Sequence, residues 1–251
     1  MLKIILSGCN GKMGRVITDI VTKRNDCSIV AGVDRDLSQN GPFPVFERFS
    51  DIDYKADVII DFSNPSLLDD LLDYAFSNKL AVVIATTGYS LQQQQQIKKA
   101  SEKIPVFFSF NMSLGVNLLA ELAGKAAAVL DGFDIEIIER HHNQKIDAPS
   151  GTALLLADKI NEECNNRYYY KYDRHKNNEK RTKNEIGIHS VRGGTIVGEH
   201  EIIFAGRDEI LTLSHSARSK EIFAVGAVNA ALFLNGLEPG LYSMKELVAS
   251  K

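Results

Sequence analysis

The sequence predicts an α/β chain in two parts. The first is built on a parallel sheet with helices on both faces; the second is α+β and carries a largely antiparallel or mixed sheet. Three observations lead there. Short apolar runs alternate with amphipathic stretches through about residue 110. A glycine-rich turn follows the first of those runs. After Asn111 the texture changes to strand-like segments with few helices between them.

Residues 2–6 read as a buried strand, 12–23 as the helix after it and 28–33 as the second strand. Further strands are expected at 57–61, 81–85 and 105–110, with helices at 65–76 and 91–101 between them. Asn64 before Pro65 sets a cap residue ahead of a proline at the first helical position, and Ser90 can cap the next helix. The glutamines at 92–96 fit the solvated face of that helix, with Leu91 and Ile97 at apolar spacing. One long apolar-rich helix is expected at 114–130, an alternating strand at 134–139 and a shorter helix at 152–163. A polar, tyrosine-rich and basic stretch covers 165–184, and strands follow around 186–192, 198–205 and 209–214. A last helix, 219–234, is apolar enough to pack back on the first part. The expected domains are therefore 1–112 with 218–251, and 113–217.

Composition narrows the function classes. The chain has 251 residues, 44% hydrophobic and 24% charged, a globular balance that excludes disordered, collagen-like and disulfide-scaffold chains. A formal net charge of -3 offers no basic field for nucleic acid. The apolar runs fall far short of the roughly 20 residues that cross a bilayer. The run at 2–6 is also below the ~7–15 residues of a signal-peptide core, so neither a membrane span nor a leader is expected. Cys9, Cys27 and Cys164 are scattered, odd in number and without a CxxC pair, which points to free thiols in a reducing cytoplasm.

The first strand runs into Gly8-Cys9-Asn10-Gly11-Lys12-Met13-Gly14. Such a turn lets the backbone approach a pyrophosphate, with the N–H groups and partial positive charge of the next helix behind it. The spacing is G-x-x-G-x-x-G rather than G-x-G-x-x-G, and taken alone it fits a plain structural turn as well. Its place between strand and helix favours a dinucleotide. Lys12 is followed by Met13, not Ser or Thr, which argues against a nucleoside-triphosphate loop. Asp34 and Arg35 end the second strand, roughly 20 residues on. The acid suits the ribose hydroxyls of NADH and the arginine the 2′-phosphate of NADPH, so the pair predicts weak discrimination. A solvated charge is the other reading of Arg35. Ala85-Thr86-Thr87-Gly88 and Ser109-Phe110-Asn111-Met112 end strands on the same edge, where doubly wound sheets bind ligands. That places Thr86 and Thr87 at the nicotinamide half, unless Thr-Thr-Gly is only a turn.

The richest segment runs from Glu136 to Ala153. His141, His142 and Lys145 lie just past a strand, and Pro149-Ser150-Gly151-Thr152 opens a helix whose N–H groups can bind a carboxylate. Cations beside a helix start suit a small dianionic substrate, and a histidine there can donate a proton near neutral pH. Adjacent His141 and His142 would point to opposite sides of a continuing strand, so no shared metal site is expected. No HExxH or cysteine partner supports zinc, and the segment at Asn111 lacks the first glycine of a nucleophile elbow. A merely structural role for either histidine stays open on chemistry alone.

The segment Glu136 to Ala153 resembles the signature of the dihydrodipicolinate reductase family, E-[IV]-x-E-x-H-x-x-x-K-x-D-x-P-S-G-T-A, at every fixed position. Nearly the whole chain shares the resemblance. Gly8 to Gly14 is similar to the family's G-x-x-G-x-M-G loop, Thr86-Thr87-Gly88 to its TTG loop, and Asn111 to Asn117 to its N-[FM]-S-x-G-V-N segment; Val197-Gly198-Glu199-His200 is also similar. The resemblance implies a Rossmann-like dinucleotide-binding domain plus a substrate domain with a mixed sheet, usually tetrameric through that sheet. It implies reduction of a cyclic dicarboxylate by NADH or NADPH, on the route to lysine and diaminopimelate. His141 would be the proton donor and Lys145 its companion cation, with His142, Ser150, Gly151 and Thr152 at the carboxylates. The cofactor would meet Gly8 to Met13, Asp34, Arg35, Ala85 to Thr87 and Ser109 to Met112. Two departures stand out. Arg174 and Arg181 keep the family's spacing, but Lys176 and Asn178 replace expected glycines between them, and Ala85 replaces a common glycine. Rival readings are another aspartate-pathway dehydrogenase, although Cys164 has no nearby histidine to serve as its nucleophile's base, and a dinucleotide-binding redox sensor without catalysis.

Overall fold

The computed structural model describes residues 1–37, 41–175 and 179–251. The chain divides into two units, Met1–Ser113 with Glu221–Lys251, and Leu114–Lys220.

The first unit holds a seven-stranded sheet built from β1 (Leu2–Ser7), β2 (Cys27–Val33), β3 (Val45–Phe46), β4 (Val58–Asp61), β5 (Ala81–Ile84), β6 (Pro105–Phe108) and β12 (Gly240–Tyr242). Its order is β12-β6-β5-β4-β1-β2-β3, and every pair is parallel. Strand order reverses between β1 and β4, the kind of switch point outside which α/β sheets bind ligands. β1, β4 and β5 are buried almost end to end, as expected of strands covered on both faces. One face carries α2 (Leu68–Asn78) and α3 (Leu91–Ala100): Leu68, Leu71, Leu72, Ala75 and Ile97 join Ile5, Ile59, Val82 and Val106 in one core. α1 (Lys12–Thr22) packs with α6 (Glu221–Leu234), which also lies against β4, β5 and β6.

The second unit is a five-stranded mixed sheet, β11-β10-β7-β9-β8, from β7 (Asp134–His141), β8 (Tyr169–Lys171), β9 (Glu185–Arg192), β10 (Gly198–Ala205) and β11 (Ile210–Ala217). β10 is antiparallel to both neighbours, while β7, β9 and β8 are parallel. α4 (Leu114–Val129) and α5 (Gly151–Glu163) cover one face, packing Leu119, Ala123, Leu156 and Ile160 on Ile135, Ile137, Ile188 and Ile202.

Several sequence expectations need correction. The strand at 134–139 continues to His141, because β10 supplies pairing partners as far as Arg140 and β9 as far as His141. The helix expected from 65 opens as a 3-10 turn, Pro65–Leu67, with Asn64 accepting from the Ser66 N–H. Leu91 is 79% exposed and plays no part in the core, which Ile97 and Ala100 reach instead. Ala85 and residues 109–110 lie beyond their strands, and α6 is not the last element, since β12 and α7 (Met244–Ala249) follow it. Lys176 and Asn178 lie outside the described residues. Arg174 and Arg181, on either side of them, both pair with the buried Glu185.

Candidate active site

In the first unit the glycine loop joins β1 to α1. Gly8 has φ +77, and a Cβ there would stand 2.5 Å from the Phe62 carbonyl oxygen; one on Gly14 would stand 2.2 Å from that of Gly8. Only glycine fits either place. Gly11 is the N-cap of α1 and contributes no capping side chain. The helix start therefore keeps N–H groups for an anion, which fits a dinucleotide pyrophosphate. Asp34 accepts from the Asn10 N–H at 2.9 Å and the Asp36 N–H at 3.1 Å, tying the loop to the end of β2. Arg35 and Lys12 are exposed. Cys9 is buried, and burial together with the nearby Asp34 charge pushes its thiol up to about 12. It can meet a ligand through its backbone alone.

Met13, Ala85, Thr86, Thr87, Phe110 and Met112 line one cavity of about 330 Å³, joined by Phe62, Ser63 and Phe223. Phe110 is held edge-on to Phe108 at 4.9 Å. Ser109 Oγ donates to the Asn111 carbonyl at 2.9 Å, and Asn111 Oδ1 accepts from the Ser113 N–H at 3.0 Å. These two side chains shape the loop. Thr86, 5% exposed, donates from Oγ1 to Asp61 at 2.6 Å and accepts the Ser63 N–H at 2.9 Å. Asp61 also accepts from Ser63 Oγ at 2.5 Å and from the Tyr89 hydroxyl at 3.3 Å. Burial raises its carboxyl above the ordinary range, and the hydroxyl donors offset that only in part.

In the second unit, β7 alternates, so Glu139 and His141 face the same side. Glu139 Oε2 lies 2.6 Å from His141 Nδ1, and Oε1 accepts the Ser150 N–H at 3.1 Å. Arg192, at the end of β9, grips both oxygens at 2.8 and 2.7 Å. Burial alone would push this carboxyl up; the hydrogen bonds from Arg192 and His141 outweigh it and hold it at about 2. Ser150 is 2% exposed, and its Oγ caps α5 by accepting the Ala153 N–H at 3.1 Å. The same Oγ lies 3.0 Å from His200 Nε2. Burial, with His141 nearby, pushes His200 down to about 4. Lys145 pairs with Asp147 at 2.8 Å, which draws that acid below its usual range. Gly151 stands in open space at the helix start, Thr152 is half-buried, and the half-buried His142 has its Nδ1 buried without a partner.

A family model described as "Dihydrodipicolinate reductase, N-terminus" matches residues 2–112, and one described as "Dihydrodipicolinate reductase, C-terminus" matches residues 115–248. The chain belongs to the dihydrodipicolinate reductase family. Relatives named 4-hydroxy-tetrahydrodipicolinate reductase include that of Caldanaerobacter subterraneus, 50% identical over 99% of this chain and 98% of its own, and that of Clostridium novyi, 49% identical over 100% of both. A solved structure of dipicolinate-bound dihydrodipicolinate reductase from Paenisporosarcina is similar with TM-score 0.82 and 29% identity over 97% of each chain. A diaminopimelate dehydrogenase from Corynebacterium glutamicum, at TM-score 0.56 and 12% identity, shares the fold alone.

Of the residues predicted for the substrate, His141 and Ser150 meet the buried Glu139 carboxylate, while Lys145 pairs with Asp147; of those predicted for the cofactor, Met13, Ala85, Thr86, Thr87, Phe110 and Met112 line the cavity. Ser150 departs from its predicted part. Its hydroxyl and N–H are both engaged inside the chain, so it shapes the helix start that Gly151 and Thr152 open. Asp61, Ser63, Phe223, Glu139, Arg192 and His200 join the residues expected from the sequence. The acids at strand ends and the Gly-Glu-His run were the available signals.

Proposed function

We propose that this chain reduces 4-hydroxy-tetrahydrodipicolinate to tetrahydrodipicolinate with NADH or NADPH, in lysine and diaminopimelate biosynthesis. Within one unit, a histidine oriented by a buried glutamate stands with a lysine and an open helix start, and that convergence carries the assignment. Cationic and N–H groups of this kind fit a planar dicarboxylate, and the Paenisporosarcina relative is described with dipicolinate bound. The bound dinucleotide supplies hydride. Residues 1–112 with 218–251 hold it: the glycine loop takes the pyrophosphate, Asp34 and Arg35 the adenosine end, and the cavity at Thr86, Thr87 and Phe110 the nicotinamide. Residues 113–217 bind the substrate and build a homotetramer through the mixed sheet.

The substrate loses water from its 4-hydroxyl, hydride adds to the conjugated ring, and the resulting enamine takes a proton. His141 gives that proton. Lys145 draws electron density toward a carboxylate and stabilises the charge that develops. His142, Gly151 and Thr152 hold the carboxylates, and Ser150 supports them from behind. Among the described residues no helix is long and apolar enough to cross a membrane, and we place the enzyme in the cytoplasm. The test is oxidation of NADH and NADPH in the presence of freshly generated substrate, followed by absorbance. No substrate-dependent oxidation with either cofactor would overturn the assignment.

A further inference from the structure

Glu139 is fully buried and serves two parts of the site with one carboxylate. Oε2 meets His141 Nδ1 at 2.6 Å, while Oε1 takes the Ser150 N–H at 3.1 Å, at the start of α5. Arg192 closes the arrangement from the neighbouring strand with two hydrogen bonds, 2.8 and 2.7 Å. A carboxylate held by an arginine only accepts, so the proton between Glu139 and His141 belongs to Nδ1. That leaves Nε2 as the exchangeable position. Gly198, on β10, keeps it uncovered: a Cβ there would stand 3.0 Å from Nε2.

We infer that Glu139 is the positioning residue of this site, fixing His141 with its proton on Nδ1 so that Nε2 passes the proton to the substrate, and setting the start of α5 with the same carboxylate. The inference rests on the function proposed above for its chemistry, but the tautomer does not depend on it. The charged and titratable groups around His141 come from every neighbouring element. They are Glu139 on β7, Arg192 on β9, His200 on β10 with His215 beyond it on β11, and Lys145 and Asp147 in the loop after β7. His200 lies edge-on to His141 at 5.3 Å. It titrates at about 4, burial being the main cause, so near neutral pH it adds no positive charge. Glu139 is then the anion that stabilises the protonated imidazole.

Replacing Glu139 with Gln tests this directly. An amide offers one acceptor oxygen and one donor nitrogen to four donor groups, so Arg192 and the Ser150 N–H compete with His141 for the oxygen. The expected outcome is a switch of His141 toward the Nε2–H tautomer, read by ¹⁵N NMR of histidine-labelled protein with His141→Asn assigning the signal. In the same variant kcat should fall on the order of 10²–10⁴-fold, while KM for NADH changes little. The pH profile of kcat should shift to lower pH, because the imidazolium has lost its anion. Glu139→Asp, which keeps the charge, should recover part of kcat and return the profile toward wild type. A wild-type His141 carrying its proton on Nε2 would overturn the inference even if Glu139→Gln failed to fold. So would a folded Glu139→Gln with lowered activity but an unmoved pH profile, the mark of a structural role alone. A wild type with the Nδ1–H tautomer and no reductase activity would leave the positioning intact and sink the function instead.

Discussion

Asp61, at the end of β4, and Glu139, near the end of β7, are both sealed from solvent, 1% and 0% exposed. Each collects hydrogen bonds from residues far away in sequence, yet the two are held in opposite ways. Asp61 is surrounded by hydroxyls, from Ser63, Thr86 and Tyr89, and its carboxyl is raised. Glu139 is met by a guanidinium, an imidazole and an N–H, and its carboxyl is held at about 2. A hydroxyl can donate or accept, so it serves either form of an acid; a guanidinium only donates and requires the ionised one. Burial at the same depth thus gives a neutral-tolerant clasp in one unit and a fixed negative charge in the other. The clasp organises the loops around a cavity, and the fixed charge faces the imidazole of His141, the proton donor we propose.

The sharpest way to break this contrast is at the proton itself. His141→Gln should lower kcat by about 10²–10⁴-fold with a smaller change in KM; near-normal turnover would remove His141, and with it the reason for a fixed charge at Glu139. The carboxyls themselves come next. A depressed acid lends stability that is present above its unfolded value and lost as pH falls through its folded one. For Glu139 that window runs from 4.5 down to about 2 and is worth on the order of 3 kcal/mol. Glu139→Gln should flatten the acid limb of stability measured by urea unfolding. Asp61 has the opposite sign. Its contribution is present below 3.8 and lost as pH rises through the raised folded value, so Asp61→Asn should gain on wild type as pH rises. Parallel curves for the two variants would show that the carboxyls are held alike.

Lys145→Ala comes third. It should weaken dipicolinate binding by roughly 1.5–3 kcal/mol, the worth of a charge-assisted hydrogen bond, while calorimetry with NADH alone stays at the wild-type value. Equal weakening of both ligands would point to damaged folding rather than a lost contact. Arg35→Ala is the mildest, because the side chain is exposed and its charge is screened. NADPH should lose about 1 kcal/mol more than NADH, read as the ratio of the two KM values. Identical losses would mean that Arg35 does not read the extra phosphate.

The parallel sheet was legible because β1, β4 and β5 are buried runs of four to six residues flanked by turn chemistry. β3, β8 and β12, two or three residues each, escaped notice because so short a strand has no periodicity to detect. Their pairing is set by the strand beside them. Leu91 misled for a different reason: it stands six residues before Ile97, roughly 120° away around the helix, and so lies off the buried face that Ile97 and Ala100 form. Within the site, His141, Lys145 and the Ser150 cap stood close together in sequence and could be read there. Arg192 lies 53 residues beyond Glu139, and Asp61 meets Thr86 across 25. Such partners become visible only once strand register is known.

The discontinuity of the first unit bears on how the chain matures. Residues 221–251 complete that unit, but the whole of the second unit precedes them. α6 lies on β4, β5 and β6, and β12 extends the sheet beyond β6. During synthesis, then, the second unit has its entire sequence available while β4, β5 and β6 still await one of their covering layers. Domains fold as units during synthesis, and exposed apolar sheet is prone to aggregate. The unit that begins the chain is therefore the one whose sequence is completed last, and part of its sheet lacks its cover until then.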